Sequence, residues 1–205
     1  MKILITCEYS GIVRDAFANK GHDAWSCDIL PTESKGNHIQ DDILKHLDKG
    51  WDMMIAHPPC TYMSNAGARW TYTKNGINKE RLKKGFEGKD FFLKLLKSNI
   101  PKICVENPLP MKIFELPKPN CIVQPYQFGE PFSKRTLLWL KNLPILTPTN
   151  ILKKYTTFLP SNTGGKKKGQ KYNIKNVSSN WNKTHSKFFK GIAEAMANQW
   201  GSNEF

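Results

Sequence analysis

Acidic residues and cysteines are scarce in this chain, and long apolar runs are absent. Its 17 Asp and Glu face 31 Lys and Arg, for a formal net charge of +14. Such an excess points to a polyanionic partner, most often nucleic acid, although a Lys- and Asn-rich composition gives the same excess with no ligand behind it. The five cysteines, Cys7, Cys27, Cys60, Cys104 and Cys121, are odd in number, have no framework spacing and include no CxxC. A disulfide scaffold and a structural zinc site are therefore disfavoured. His57 and Cys60 lie three positions apart without a second ligand pair, so no metal is expected. No run approaches the roughly 20 apolar residues needed to cross a bilayer, so no membrane partner is expected. The start, MKILITCEYSG, has neither the extended apolar core nor the small-residue cleavage site of a secretory leader. The expected location is the cytoplasm. Internal repeats and a GxGxxG turn are also absent.

What is present fits one domain with a small appendage. Over 205 residues, 39% are hydrophobic and six are Trp, enough for a packed core. Lys2–Thr6 (KILIT) reads as a buried strand. A helix follows with Ile12, Val13, Ala16 and Phe17 on one face and Gly21 as its C-cap. Asp23–Ile29 is a second strand. Asp41–Gly50 reads as a short helix opened by acids, and Trp51–His57 as a buried strand stopped by Pro58 and Pro59. A polar, Gly-containing stretch spans Thr61 to Gly88. Apolar spacing predicts a helix from near Lys79 to Ser98. Pro101–Glu106 is a further strand. CIVQPYQF and RTLLWL are two late strands that form a hairpin around GEPFSK. The segment 144–182 reads as a small loop-rich insertion, with Lys166, Lys167, Lys168, Lys171 and Lys175 in an exposed loop. A last helix buries Phe189, Ile192, Ala193, Met196 and Trp200. The predicted fold is α/β, a mostly parallel sheet with helices on both faces and a late antiparallel hairpin.

In open α/β sheets, ligands bind beyond the C-terminal ends of the strands. Four strand ends here carry unusual residues: Cys7-Glu8-Tyr9-Ser10-Gly11, Asp28, His57-Pro58-Pro59-Cys60, and Glu106-Asn107-Pro108. Parallel strands bring all four to one rim. Asp28 suits ribose hydroxyls, or caps a helix. Two prolines hold Cys60 in place, as a nucleophile requires; an inert half-buried thiol is the alternative. Glu106, on an apolar strand, suits proton donation, or is a buried structural carboxyl.

In the order CEYSGIVRDAF, IAHPPC, CVENP, FGEPFSKRTLLWL and GIAEAMANQW, the chain resembles the DNA cytosine-5 methyltransferases, most of all short phage-type members. The resemblance runs from Lys2 to about Gly201 with a gap over the insertion. It implies a Rossmann-like S-adenosylmethionine-dependent methyltransferase fold, with residues 1–143 and 183–205 as catalytic domain and 144–182 as a reduced target recognition region. It also implies residence in a bacterial host or phage-infected cell. Cys60 matches the cysteine that adds to C6 of cytosine, and Glu106 the glutamate that engages N3 and the exocyclic amine. Lys134 matches the first arginine of a Gln-x-Arg-x-Arg motif, completing the catalytic set. For the cofactor S-adenosylmethionine, Tyr9, Ser10 and Gly11 match the turn beside its methionine part. Asp28 matches the ribose acid, Ile29 the residue beside adenine, and Asp42 and Ile43 an Asp-Ile pair at the adenine amine. Pro58 and Ser186 complete the cofactor set. The implied partner is DNA, bound by one copy of the chain. Ser64, Arg69, Arg135, Lys166, Lys167 and Lys168 face it, and the target cytosine is flipped from the duplex or presented by a single strand.

Four positions depart from the family: Thr61 stands for Gln, Pro108 for Val, Phe132 for Gln and Thr136 for the second Arg, with Arg135 one position away. The short insertion predicts a short or degenerate recognition site, because groove readout usually takes a dedicated element. The loop carrying Arg69, Trp70, Tyr72 and Lys74 is expected to close over the base as a packed lid; the alternative is aromatics that stack on a base. Two other functions remain open. Amino-methyltransferases use Asp/Asn-Pro-Pro-Tyr, which His57-Pro-Pro-Cys60 does not supply. A non-catalytic DNA- or nucleotide-binding protein on a decayed methyltransferase fold fits the altered arginine motif, but not the joint presence of Cys60 and Glu106.

Overall fold

The computed structural model describes residues 1–157 and 188–202. Its centre is a seven-stranded mixed sheet built from β1 (Lys2–Thr6), β2 (Asp23–Asp28), β3 (His38–Gln40), β4 (Met53–Ala56), β7 (Lys102–Asn107), β8 (Cys121–Val123) and β10 (Thr136–Lys141). The spatial order is β3-β2-β1-β4-β7-β10-β8. The first five are parallel, and β10 runs antiparallel between β7 and β8. This is the expected α/β fold with its late antiparallel pair. The chain first builds outward from β1 to β3, then crosses to β4 on the other side of β1. The topological switch point lies between β1 and β4, where such sheets open a crevice.

The strands form where they do because both faces of the sheet are covered. Buried parallel strands need apolar residues at every position. Ile3 and Ile5 belong to one core cluster and Leu4 to the other, as the period of two requires. One face carries α1 (Ile12–Ala18), with Val13 and Phe17, and the last helix, with Ile192, Ala193, Met196 and Trp200. The opposite face carries the helix Lys79–Leu96, with Phe92 and Leu95 packed beside Trp139. Phe17 and Phe92 are fully buried, each worth roughly 1.5–3 kcal/mol of transfer free energy.

Between β4 and β7 lie α2 (Ala68–Thr71), the small hairpin β5 (Tyr72–Thr73) and β6 (Gly76–Ile77), and α3 (Lys79–Leu96). Asn78 caps α3 by accepting the Arg81 amide at 3.0 Å. Gly85, in the middle of α3, costs helix propensity, but a Cβ there would strike the Phe114 ring. β9 (Phe132–Ser133) pairs in parallel with β11 (Thr156–Thr157) outside the main sheet, and α4 spans Lys190–Trp200.

Several elements differ from expectation. The helix over 41–50 shrinks to one 3-10 turn, Ile43–Lys45. The His46 carbonyl accepts the Trp51 indole N–H at 2.7 Å, and Asp41 holds the Lys45 and His46 side chains, so the chain turns there. The fourth strand is shorter because Trp51 anchors the entry and Pro58 ends it. The strand at 121 stops at Val123, where Pro125 opens a capped 3-10 turn. α1 ends at Ala18 with Asn19 as its cap, and Gly21 follows in the left-handed region at φ +82°. Residues 144–147 pack on α4: Leu146 is buried, and the Trp200 indole donates to the Pro144 carbonyl at 3.0 Å. No helix among the described residues is long and apolar enough to cross a membrane.

Candidate active site

The four anticipated strand ends do lie side by side, since β2, β1, β4 and β7 are consecutive in the sheet. Their turns are built differently.

After β1, Cys7 takes the left-handed conformation at φ +57°, which directs Glu8 inward. Glu8 is buried and accepts the amides of Val13 at 2.7 Å and Arg14 at 3.2 Å, and the Ser10 hydroxyl at 3.3 Å. The anion-seeking end of α1 is thus filled by the chain's own carboxylate. That arrangement leaves no place there for a pyrophosphate, which accounts for the missing GxGxxG. Gly11 sits at φ +74°, and a side chain there would strike Ser34 and Arg14. The buried Arg14 guanidinium bonds the Ser26 hydroxyl at 3.1 Å and the Lys35 carbonyl at 3.0 Å, pinning the 30–37 loop over the turn. Burial first, and then Asp28, push the Cys7 thiol up to about 12, so it is neutral and unreactive at ordinary pH.

Asp28 ends β2 half-buried, accepting the Leu30 amide at 2.9 Å with one oxygen. Ile29 beside it is 75% exposed. Asp42 is exposed and caps the 3-10 turn through Leu44, while Ile43 is buried in the core. The carboxyl at Asp41 lies well below the ordinary range because Lys45 and His46 hydrogen-bond it.

β4 and β7 pair with Ala56 opposite Val105. The next two positions therefore set His57 opposite Glu106 and Pro58 opposite Asn107. Side-chain contacts follow that register. His57 Nδ1 is 3.3 Å from Glu106 Oε2, and the fully buried Asn107 donates to the Pro58 carbonyl at 3.2 Å. Asn107 thereby locks the Pro-Pro turn that delivers Cys60. The Cys60 carbonyl accepts the amides of Met63 and Ser64, so the thiol heads a tight turn whose next anchor is the fully buried Met63. Burial raises the Cys60 thiol, Glu106 raises it further, and Lys134 lowers it. The three residues the sequence singled out thus share one electrostatic neighbourhood, although they arrive from different strands. Arg135, one step further, is exposed.

The loop over the site is less packed than expected. Met63, Ser64 and Thr71 are buried, but Trp70 and Tyr72 are 58% and 46% exposed. Trp70 sits on the four-residue α2 and Tyr72 on a hairpin of two residues per strand, and neither element has a face large enough to bury them. Arg69 lies over the Trp70 ring, and Arg81 and Lys84 lie over Tyr62, so the surface alternates cation and ring. Ser186, Lys166, Lys167 and Lys168 lie outside the described residues. Among the described residues, no three His, Cys, Asp or Glu are placed to hold a metal.

Sequence reasoning overlooked Glu8, Arg14 and the pairing of His57 with Glu106. An acid two residues past a strand and a few before a helix is a signal for the first. The pairing follows only once the strand register is known.

A doubly wound α/β protein with a strand-end site at its switch point is the class that this architecture defines. A crystal structure of a candidate DNA modification methyltransferase encoded within an E. coli prophage is similar to it, with a TM-score of 0.43 and 14% identity over 73% of this chain. The match covers 51% of that protein, so this chain spans about half of its length. No protein-family model and no curated protein matches the chain.

Proposed function

We propose that this chain is an S-adenosylmethionine-dependent DNA cytosine-5 methyltransferase. The observation that carries the reading is that the His-Pro-Pro-Cys turn after β4 and the Glu-Asn end of β7 lie side by side, with His57 Nδ1 3.3 Å from Glu106 and Asn107 donating to the Pro58 carbonyl.

The residues fit the cofactor at its adenosyl end. Asp28 retains a carboxylate oxygen for ribose hydroxyls, and exposed Ile29 offers an apolar face for adenine. The filled end of α1 suits a cofactor without phosphate. At the methionine end, Cys7, Glu8, Tyr9, Ser10, His57 and Phe188 line a cavity of about 20 Å³. That is room for about one water. Occupation of this end requires Phe188 to swing from His57, its ring now 4.6 Å away. When bound, S-adenosylmethionine supplies the electrophilic methyl group that C5 of the base receives.

The chain's own residues do the rest. Cys60 gives its proton to the Glu106 carboxylate, directly or through water, and Sγ bonds to C6 of cytosine. Glu106 passes that proton to N3 as the bond forms, so charge does not accumulate on the ring. The proton that leaves the thiol is the one that reaches the base, so Glu106 ends as the carboxylate it began. While it carries the proton, Glu106 no longer raises the thiol. Lys134 offsets the burial of Sγ throughout. Loss of the C5 proton to water then lets the Sγ–C6 bond break, and the N3 proton returns through Glu106 to Sγ, which restores Cys60. The base must leave the stack to reach Sγ. Ser64 and Arg135 are assigned to DNA by their place in the motifs, and Arg69, Lys166, Lys167 and Lys168 by charge.

The test is nucleoside mass spectrometry of unmethylated duplex and single-stranded DNA incubated with protein and S-adenosylmethionine, beside Cys60→Ala. The expected product is 5-methylcytosine from the wild type alone. Methylation at N4 or N6, or product from Cys60→Ala, overturns the reading. No product despite cofactor binding makes the chain a binding protein on this fold.

A further inference from the structure

The mechanism above uses Cys60, Glu106 and Lys134 and leaves His57 idle, yet His57 is placed as carefully as any of them. It leaves β4 one residue before the Pro-Pro turn, and its amide still pairs with the Thr6 carbonyl of β1 at 3.0 Å. Its backbone therefore moves with the sheet. Its side chain is 12% exposed and that of Glu106 16%, so their contact at 3.3 Å is largely shielded from water. A shielded contact to a carboxylate is worth more than one at the surface.

The two ring nitrogens are unequal. Nδ1 meets Glu106 Oε2, while Nε2 is buried with no hydrogen-bond partner. A buried N–H without an acceptor is costly, which favours the tautomer that places the proton where it is used. A proton on Nδ1 is donated to Oε2. Nε2 is then a bare acceptor, cheaper to leave unpaired than a buried N–H. His57 also lines the cavity of about 20 Å³ at the switch point, where one water-sized donor is accommodated.

We propose that His57 is a positioning residue: its Nδ1–H grips Glu106 Oε2 and turns the other carboxyl oxygen toward N3 of the flipped cytosine, while Nε2 faces the cavity as an acceptor. The inference rests on the cytosine-5 reading and deepens it, adding a residue that acts through Glu106 without touching the base. Without the grip, the Glu106 carboxyl rotates about its χ3 bond, and a misplacement of about 1 Å costs roughly 10²-fold in rate.

The variants separate the two nitrogens. His57→Phe keeps a ring against Phe188 and loses both. His57→Asn keeps a donor near the position of Nδ1. We expect His57→Phe to lower kcat about 10²-fold with KM for DNA little changed. We expect His57→Asn to return kcat to within about fivefold of wild type, since the same donor is restored. Nitrogen-15 spectra of the imidazole should show the Nδ1–H form, with its signals shifted by Glu106→Gln. The inference is overturned by an Nε2–H tautomer indifferent to Glu106, or by wild-type kcat in a folded His57→Phe. A wild type that makes no 5-methylcytosine overturns the underlying reading and this role with it. A wild type that methylates while His57→Phe keeps its kcat overturns this inference alone.

Discussion

The turns after β1 and β4 flank the same switch point but treat their polar groups in opposite ways. The first is closed on itself. Glu8 uses both carboxylate oxygens on the start of α1, Arg14 bonds the loop above, and Cys7 is neutral. The second is left open for chemistry. His57 Nε2 and Asn107 Oδ1 are buried without partners, and the Cys60 thiol feels two opposed charges. A turn whose groups are all committed to the fold serves as scaffold, whereas one that keeps groups in reserve can act on a ligand.

That contrast is broken most severely by Glu106→Gln. It removes the acid that protonates N3, and methylation should fall by about 10²- to 10⁴-fold. The same change removes the charge that raises the thiol, so alkylation of Cys60 by iodoacetamide should become faster at neutral pH. Slower or unchanged alkylation would show that the two groups do not interact.

Glu8→Ala is the counterpart on the scaffold side. It strips the acceptor from two amides at a buried helix start and should cost about 3 kcal/mol in denaturant unfolding. Glu106→Gln should change stability by less than about 1 kcal/mol, because the carboxyl becomes an isosteric amide that still has an oxygen to accept from His57. Equal losses of stability in the two variants would erase the distinction between the turns.

Lys134→Ala gives the smallest effect and sharpens the second turn. The ammonium favours the thiolate, so its removal raises the thiol further and shrinks the reactive fraction at a given pH. Activity should drop roughly tenfold at pH 7 and recover part of the way by about pH 9. A uniform loss at every pH would assign Lys134 to DNA phosphate instead.

Much of the scaffold was legible because both-faces-buried strands read as continuous apolar runs, as in Ile3–Ile5 and Met53–Ala56. The helical spacing of Phe92 and Leu95 was equally clear. The short turn at 43–45 was not, since Asp41 hydrogen-bonds side chains rather than starting a helix. Exposure of Trp70 and Tyr72 depends on how little surface α2 and the hairpin after it offer, which composition does not encode. Cys60 and Glu106 stood out by residue type and by resemblance. His57 did not, because its meaning comes from strand register, a long-range property that no local pattern carries.

The most direct test of the central claim is covalent capture. Incubation with S-adenosylmethionine and DNA carrying 5-fluorocytosine blocks release, because fluorine on C5 cannot leave as the proton does. Intact-protein mass spectrometry should then find one methylated oligonucleotide joined to the chain through Cys60, and no adduct with Cys60→Ala. An adduct that survives Cys60→Ala, or wild-type protein that methylates cytosine without ever forming one, would contradict the account.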